Sequence, residues 1–219
     1  MNIFLTGQKS FGKAVFKALL EDGHNIVGVA PAPPDKYYDK LHGIALRYHV
    51  PVVCDATRLV SDHIPENTDL IVSAHSHWFV SQKAVDKARL GAIGFHPSLL
   101  PRHRGRDAVR WTIACGDPIT GGSIYRLSNE VDGGAILLQK HIFVNRTWDH
   151  HALWRELFPL GVQLVRDAVR LLEKQGYIEG EPQDPQFATW EPPFDATARL
   201  FRPELLTLPS PRSLKTYEY

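Results

Sequence analysis

Four side chains stand where they could hold or pass a proton: His75, His77, His96 and Asp132. His96 follows Ala92-Ile93-Gly94-Phe95, which reads as the end of a buried strand. Pro97 then stops the ladder, because proline has no N–H to donate. In an open α/β sheet, ligands bind outside the carboxyl ends of the strands. A histidine placed there works as an acid or a base near neutral pH. Asp132 lies 36 residues further on, in Val131-Asp132-Gly133-Gly134. The glycine pair permits backbone angles closed to other residues, so the loop can lift the carboxylate to a neighbouring strand end. An aspartate beside a histidine fixes the imidazole tautomer. The plainer reading is a packed histidine followed by a basic loop (Arg102, His103, Arg104, Arg106), with a surface aspartate in a glycine turn.

His75-Ser76-His77 closes another apolar run, residues 69–74. A His-x-His at a strand end suggests a metal, but a site needs three or four fitting ligands. Asp132, His96 and Cys115 are the other residues in view, and no metal is expected. Trp78 and Phe79, followed by Val80, offer a flat apolar surface suited to a planar heterocycle. Plain core packing is the competing use of the same rings.

Alternating strands and helices must position these groups. Apolar runs at 2–7, 24–30, 50–53, 69–74, 121–127 and 135–140 read as strands. Three-and-four spacing predicts helices at 11–20, 36–47, 82–89, 106–114 and 148–173. Tyr37, Leu41, Ile44 and Ala45 are the expected inner face of the second helix, and Ser81 the cap of the third. Pro159 is expected to kink or divide the last, and Gly176 to end it. The pattern predicts an α/β fold, an open sheet with buried strands of the parallel kind. Of the 219 residues, 43% are apolar and 22% charged, as in an ordinary globule, and the net charge of +1 gives no argument for nucleic acid or a membrane as partner. No apolar run reaches transmembrane length. MNIFLTG lacks a basic start and a long apolar segment, so no signal peptide is expected. Cys54 and Cys115 then read as reduced thiols of a cytoplasmic protein. Gly7-Gln8-Lys9-Ser10 matches neither dinucleotide nor Walker spacing and reads as a tight turn.

These words resemble the folate-dependent formyltransferases: His96-Pro97-Ser98-Leu99-Leu100-Pro101, Arg104-Gly105, Gly116-Asp117 with Thr120-Gly121, Val131-Asp132-Gly133-Gly134, Ile136 and Gln139. The family includes the glycinamide ribonucleotide, methionyl-tRNA and nucleotide-sugar enzymes. The resemblance runs from the first strand to about residue 175. It implies a Rossmann-like catalytic domain over residues 1–178, a doubly wound, mostly parallel sheet flanked by helices, followed by a Pro-rich extension, 179–219, that packs back or is partly ordered. It implies 10-formyltetrahydrofolate as cosubstrate, a small-molecule amine as acceptor, and leaves room for a homodimer. His96 and Asp132 match the family's catalytic pair. Cofactor-binding positions fall at His77, Trp78, Phe79, Val80, Val131, Gly133 and Gly134.

One position departs. Gly94 stands where the family carries an asparagine that donates a hydrogen bond to the developing oxyanion, a bond worth roughly 3 kcal/mol. The expectation is that water or an imidazole of His75 or His77 fills the space, which places Gly94, His75 and His77 in the catalytic set. The turn after the first strand differs from the phosphate loop of the ribonucleotide enzyme, and too little chain follows the last helix for the tRNA enzyme's barrel. Gln186-Phe187-Ala188-Thr189-Trp190 is similar to a stretch of the tRNA and sugar enzymes. A nucleotide-linked amino sugar is therefore the expected acceptor. Another small amine, hydrolysis of the folate, or folate binding without transfer are the alternatives.

Overall fold

The computed structural model describes residues 1–34, 37–53 and 58–194. Six strands form one sheet in the order β2-β1-β3-β4-β5-β6. They are β1 (Asn2–Gly7), β2 (Asn25–Pro31), β3 (Leu70–Ala74), β4 (Ala92–His96), β5 (Ile119–Arg126) and β6 (Ile136–Phe143). The first four run parallel, and β5 and β6 are antiparallel to their neighbours. Strands β1, β3 and β4 are almost wholly buried. That is why their sequences are continuous apolar runs rather than alternating ones. The helices are α1 (Lys9–Glu21), α2 (Lys40–Arg47), α3 (Gln82–Lys87), α4 (Ala108–Cys115) and α5 (His150–Gln175).

One core joins α1, α2 and α5 to the sheet through Leu5, Phe16, Leu41, Phe95, Val165 and Val169. A second holds Phe4, Ile71, Val80, Ala84 and Val85, with α3 among its walls. Helix α5 buries Leu153, Leu157, Leu164, Val165, Ala168 and Leu172 along one stripe. Fully burying each such leucine contributes about 2 kcal/mol. Gly161 lets α5 approach the sheet closely: a Cβ there would stand 2.5 Å from the Phe95 ring. Phe95 is thereby wedged under α5, and the next residue is His96.

Several local expectations change. Residues 50–53 form no strand but one parallel bridge, Val52 to Val29. The second helix starts at Lys40, where the Asp39 side chain accepts from Leu41 N–H, and Tyr37 before it is 84% exposed. An N-cap at Asp39 outweighs the apolar spacing upstream. Helix α5 runs through Pro159 without dividing. Pro159 and Arg155, whose carbonyl loses its partner, are both exposed, so water can take that bond. Ser81 caps α3 and Gly176 ends α5 with φ 71°. Cys115 is an exposed free thiol, whereas Cys54 and residues 195–219 lie outside the described residues. Among the described residues no helix is long and apolar enough to cross a membrane.

Residues 181–194 lie across the loop that follows β4. Arg104 N–H donates to the Thr189 carbonyl at 3.0 Å and His103 N–H to Thr189 Oγ1 at 2.7 Å. The Trp111 indole donates to the Pro192 carbonyl at 2.9 Å, and the Phe194 ring meets Trp111 edge-on.

Candidate active site

The turn after β4 is pinned from beneath. The Ser123 hydroxyl donates to the Ser98 carbonyl (2.7 Å) and accepts from Leu100 N–H (3.0 Å). Gln139 Nε2 donates to the Leu100 carbonyl and to Ser123 Oγ. The Ser98 hydroxyl donates to the Arg102 carbonyl at 2.6 Å. These bonds from β5 and β6 fix the chain on both sides of the turn, and so the place where His96 leaves the sheet.

His96 is buried, with its Nε2 2.6 Å from the His103 carbonyl. A carbonyl only accepts, so Nε2 carries the hydrogen. The other nitrogen, Nδ1, stands 3.5 Å from Asp132 Oδ2. That is an electrostatic contact rather than a tight hydrogen bond. Asp132 Oδ2 accepts the Gly105 N–H at 2.7 Å, and Oδ1 accepts the Tyr125 hydroxyl at 2.5 Å. Asp132 has φ 51°. Its loop is held by Gln183 Nε2, which donates to the carbonyls of Asp132 and Gly134. Arg104 completes the frame, donating to Gln183 Oε1 and Glu130 Oε1. His103 is buried with a carboxylate at each ring nitrogen, Glu191 at Nδ1 and Asp117 at Nε2, both at 2.8 Å. The carbonyl that orients His96 thus belongs to a residue locked from three sides.

A cleft of about 810 Å³ opens above this pair. Of the residues singled out from the sequence, it brings together His75, His77, Trp78, Phe79, Val80, His96, Val131 and Asp132. Gly94, Gly133 and Gly134 do not line it. A Cβ on Gly133 would meet the Glu130 side chain at 2.3 Å, and one on Gly134 the Arg126 carbonyl at 1.8 Å. These two glycines shape the loop rather than the cleft wall. Trp78 is fixed by its indole, which donates to the Pro31 carbonyl at 2.7 Å. Phe79 carries the Arg58 guanidinium 4.6 Å above its ring. Six non-glycine residues among those described have positive φ, and Lys9, His75, Asp107 and Asp132 of these line the cleft. Such backbone concentrates at working sites.

The expected filling of the Gly94 space is corrected. Gly94 lies opposite Tyr125 across the antiparallel β4–β5 pair. A Cβ on Gly94 would stand 2.8 Å from Tyr125 Cζ and 2.9 Å from Leu127 Cδ2. The tyrosine ring occupies the gap, and no imidazole does. The His75 ring stacks on Trp154 at 5.0 Å and packs against Phe11 at 5.0 Å. Burial, and then the nearby His96, hold its pKa down at about 4, so it is neutral at pH 7 and no imidazolium donor. His77 is exposed, edge-on to Trp78. Among the described residues, no group of three or more His, Cys, Asp or Glu could hold a metal ion.

Sequence reasoning missed Tyr125, Trp154, Phe11 and the His103–Glu191 contact. Tyr125 had a signal: a glycine inside a buried strand leaves a hole that a large cross-strand neighbour fills. The others are brought in by helices and by residues distant in the chain.

The formyl transferase family model matches residues 1–169. The chain belongs to the formyl transferase family. Formyl transferases take their one-carbon group from 10-formyltetrahydrofolate. The cytosolic 10-formyltetrahydrofolate dehydrogenase of Xenopus tropicalis is 35% identical over 204 residues, 88% of this chain and 22% of that protein. The chain therefore spans about a fifth of the length of that curated relative. Glycinamide ribonucleotide transformylase 1 of Symbiobacterium toebii superposes with a TM-score of 0.68 at 21% identity, over 84% of this chain and 94% of that one. The N-formyltransferase of Helicobacter canadensis, solved with folinic acid and dTDP-3-aminofucose, gives 0.67 at 17% identity, over 86% and 70%. At such identities these two structures speak for the fold, a six-stranded, mostly parallel sheet with flanking helices.

Proposed function

We propose that this formyl transferase passes the formyl group of 10-formyltetrahydrofolate to the primary amine of a nucleotide-linked amino sugar. One observation carries the reading. The His96–Asp132 pair closes the base of a cleft walled by Trp78, Phe79 and Val80 and lined, on exposed residues, by Lys9, Arg106, Arg110 and His151. The apolar wall suits a planar heterocycle. Lys9, Arg106 and Arg110 are cations that suit an acceptor carrying phosphates. About 810 Å³ lies within the ordinary range for a small-molecule site, roughly 300–1,000 Å³.

The chemistry follows from which nitrogen of His96 is free. Nε2–H is committed to the His103 carbonyl, so Nδ1, beside Asp132 and facing the cleft, holds or passes the proton. The amine attacks the formyl carbon, and charge collects on the formyl oxygen. A protonated Nδ1 stabilises that oxygen, and Asp132 stabilises the imidazolium. The carbon–N10 bond then breaks. N10 takes up a proton equivalent to the one the amine loses, leaving a formamide and tetrahydrofolate. Trp78, Phe79, Val80 and Val131 exclude water from the ring end of the donor.

Water as the acceptor is the second reading, favoured by the 35% identity to a 10-formyltetrahydrofolate dehydrogenase. One assay separates the two. The purified protein is given 10-formyltetrahydrofolate with a panel of amines that includes nucleotide-linked amino sugars, and tetrahydrofolate release is followed. Release that requires an amino-sugar nucleotide is expected. Release with formate and no amine would select hydrolysis, and no release under either condition would sink both readings.

A further inference from the structure

We infer that Tyr125 is a positioning residue of this site, its hydroxyl reaching Asp132 through the gap that Gly94 leaves in β4 and holding the carboxylate in its working orientation. The inference deepens the proposed transfer reaction and rests on it. Three observations meet here. First, Gly94 and Tyr125 are direct cross-strand partners, and the tyrosine ring lies so close over Gly94 that a Cβ there would collide with Cζ at 2.8 Å and Cε1 at 2.9 Å. The strand residue without a side chain and the large ring opposite are one unit. Any side chain at 94 would push the ring aside.

Second, the phenol is used. Its oxygen is 2.5 Å from Asp132 Oδ1, while Gly105 N–H takes Oδ2 at 2.7 Å. With one donor on each oxygen, the carboxylate cannot rotate about its last bond without losing both. The orientation so fixed presents Oδ2 to His96 Nδ1. The backbone donor alone would leave Oδ1 free to swing. Third, Tyr125 is buried yet lines the cleft. Burial first, and then the Asp132 charge, push its pKa well up, so the hydroxyl keeps its proton and stays a donor. A hydrogen bond to a charged group is the strong kind.

The test compares Tyr125→Phe, Asp132→Asn and the double variant of the full chain. Tyr125→Phe keeps the ring over Gly94 and removes one oxygen. It should lower kcat roughly tenfold, the loss expected for one charge-assisted hydrogen bond, with KM for 10-formyltetrahydrofolate within about twofold. In the Asp132→Asn background the same change should cost nothing further, because the group it acts through is gone. Wild-type kcat in Tyr125→Phe, or losses that simply multiply in the double variant, would overturn the inference. A readout free of turnover accompanies these: a proton spectrum of the wild type should show a slowly exchanging phenolic resonance downfield of the amides, lost in Tyr125→Phe and moved upfield in Asp132→Asn, whose amide oxygen is an uncharged and weaker acceptor. Its absence in the wild type would also overturn the inference. Isothermal titration with 5-formyltetrahydrofolate isolates the parent reading. A protein that shows the resonance but binds no folate would remove the transfer reaction and, with it, Tyr125's role in it, whereas folate binding without the resonance would remove Tyr125 alone.

Discussion

The two ends of the cleft are built on opposite principles. At the Asp132 end the polar atoms around the one free nitrogen, His96 Nδ1, are each held by a partner: a backbone carbonyl on His96 Nε2, a backbone N–H and a phenol on Asp132, two carboxylates on His103. At the Trp78 end the groups offer surface. One indole bond fixes Trp78, a guanidinium covers Phe79, and His77 is exposed. The first end restricts orientation to a narrow range, which matters where a proton must be passed. The second tolerates small displacements, which is sufficient to bind a flat ring. Damage at the first should therefore appear in kcat and at the second in KM.

The harshest way to break the contrast is at the first end. His96→Ala and Asp132→Asn should each lower kcat by roughly 10²-fold or more with the fold intact. Steady-state kinetics beside a circular dichroism spectrum decides it, and an active His96→Ala would undo the assignment. Trp78→Ala should instead raise KM for 10-formyltetrahydrofolate by roughly tenfold and leave kcat near wild type. A kcat loss as large as the KM change would show that the aromatic wall also orients the reacting carbon.

The smallest effect concerns His75, between the two ends. Its folded pKa of about 4 lies below the ordinary histidine value of 6.5. Between those values the unfolded chain binds more protons, so stability falls as pH drops from 6.5 towards 4. His75→Asn, tolerant of the positive φ of 59°, should flatten the fall of Tm over that window while lowering Tm at pH 7 through the lost ring stack. An unchanged slope would show that other groups carry it.

The same contrast accounts for what the sequence discloses. The strands around the site are legible because burial on both faces forces continuous apolar runs, and His96 is legible because Pro97 marks the strand end. Asp132 is legible through its glycine pair. Gly94 signals a hole in β4, but that Tyr125 is the ring that fills it is not legible, since β4 and β5 meet only through strand register. The His103–Glu191 and Arg104–Gln183 contacts are equally silent, because they join residues 88 and 79 apart with no local pattern. Trp78, Phe79 and Val80 line the cleft while Val80 also belongs to the core, and the role expected of His75 fails because the low polarity around its ring cannot be read from neighbouring letters.

The strap of residues 181–194 also sets an order of events during synthesis. Thr189 and Glu191 follow His103 by 86 and 88 residues. The six strands and α5 precede the strap and leave the ribosome first, and domains can begin folding as they emerge. Until the strap arrives, Asp117 is the only carboxylate on the His103 ring among the described residues, and the backbone N–H groups of His103 and Arg104 lack their Thr189 partners. In a nascent chain halted just after α5, the His103 carbonyl that aims the His96 ring would therefore belong to a residue still without its Glu191 and Thr189 contacts.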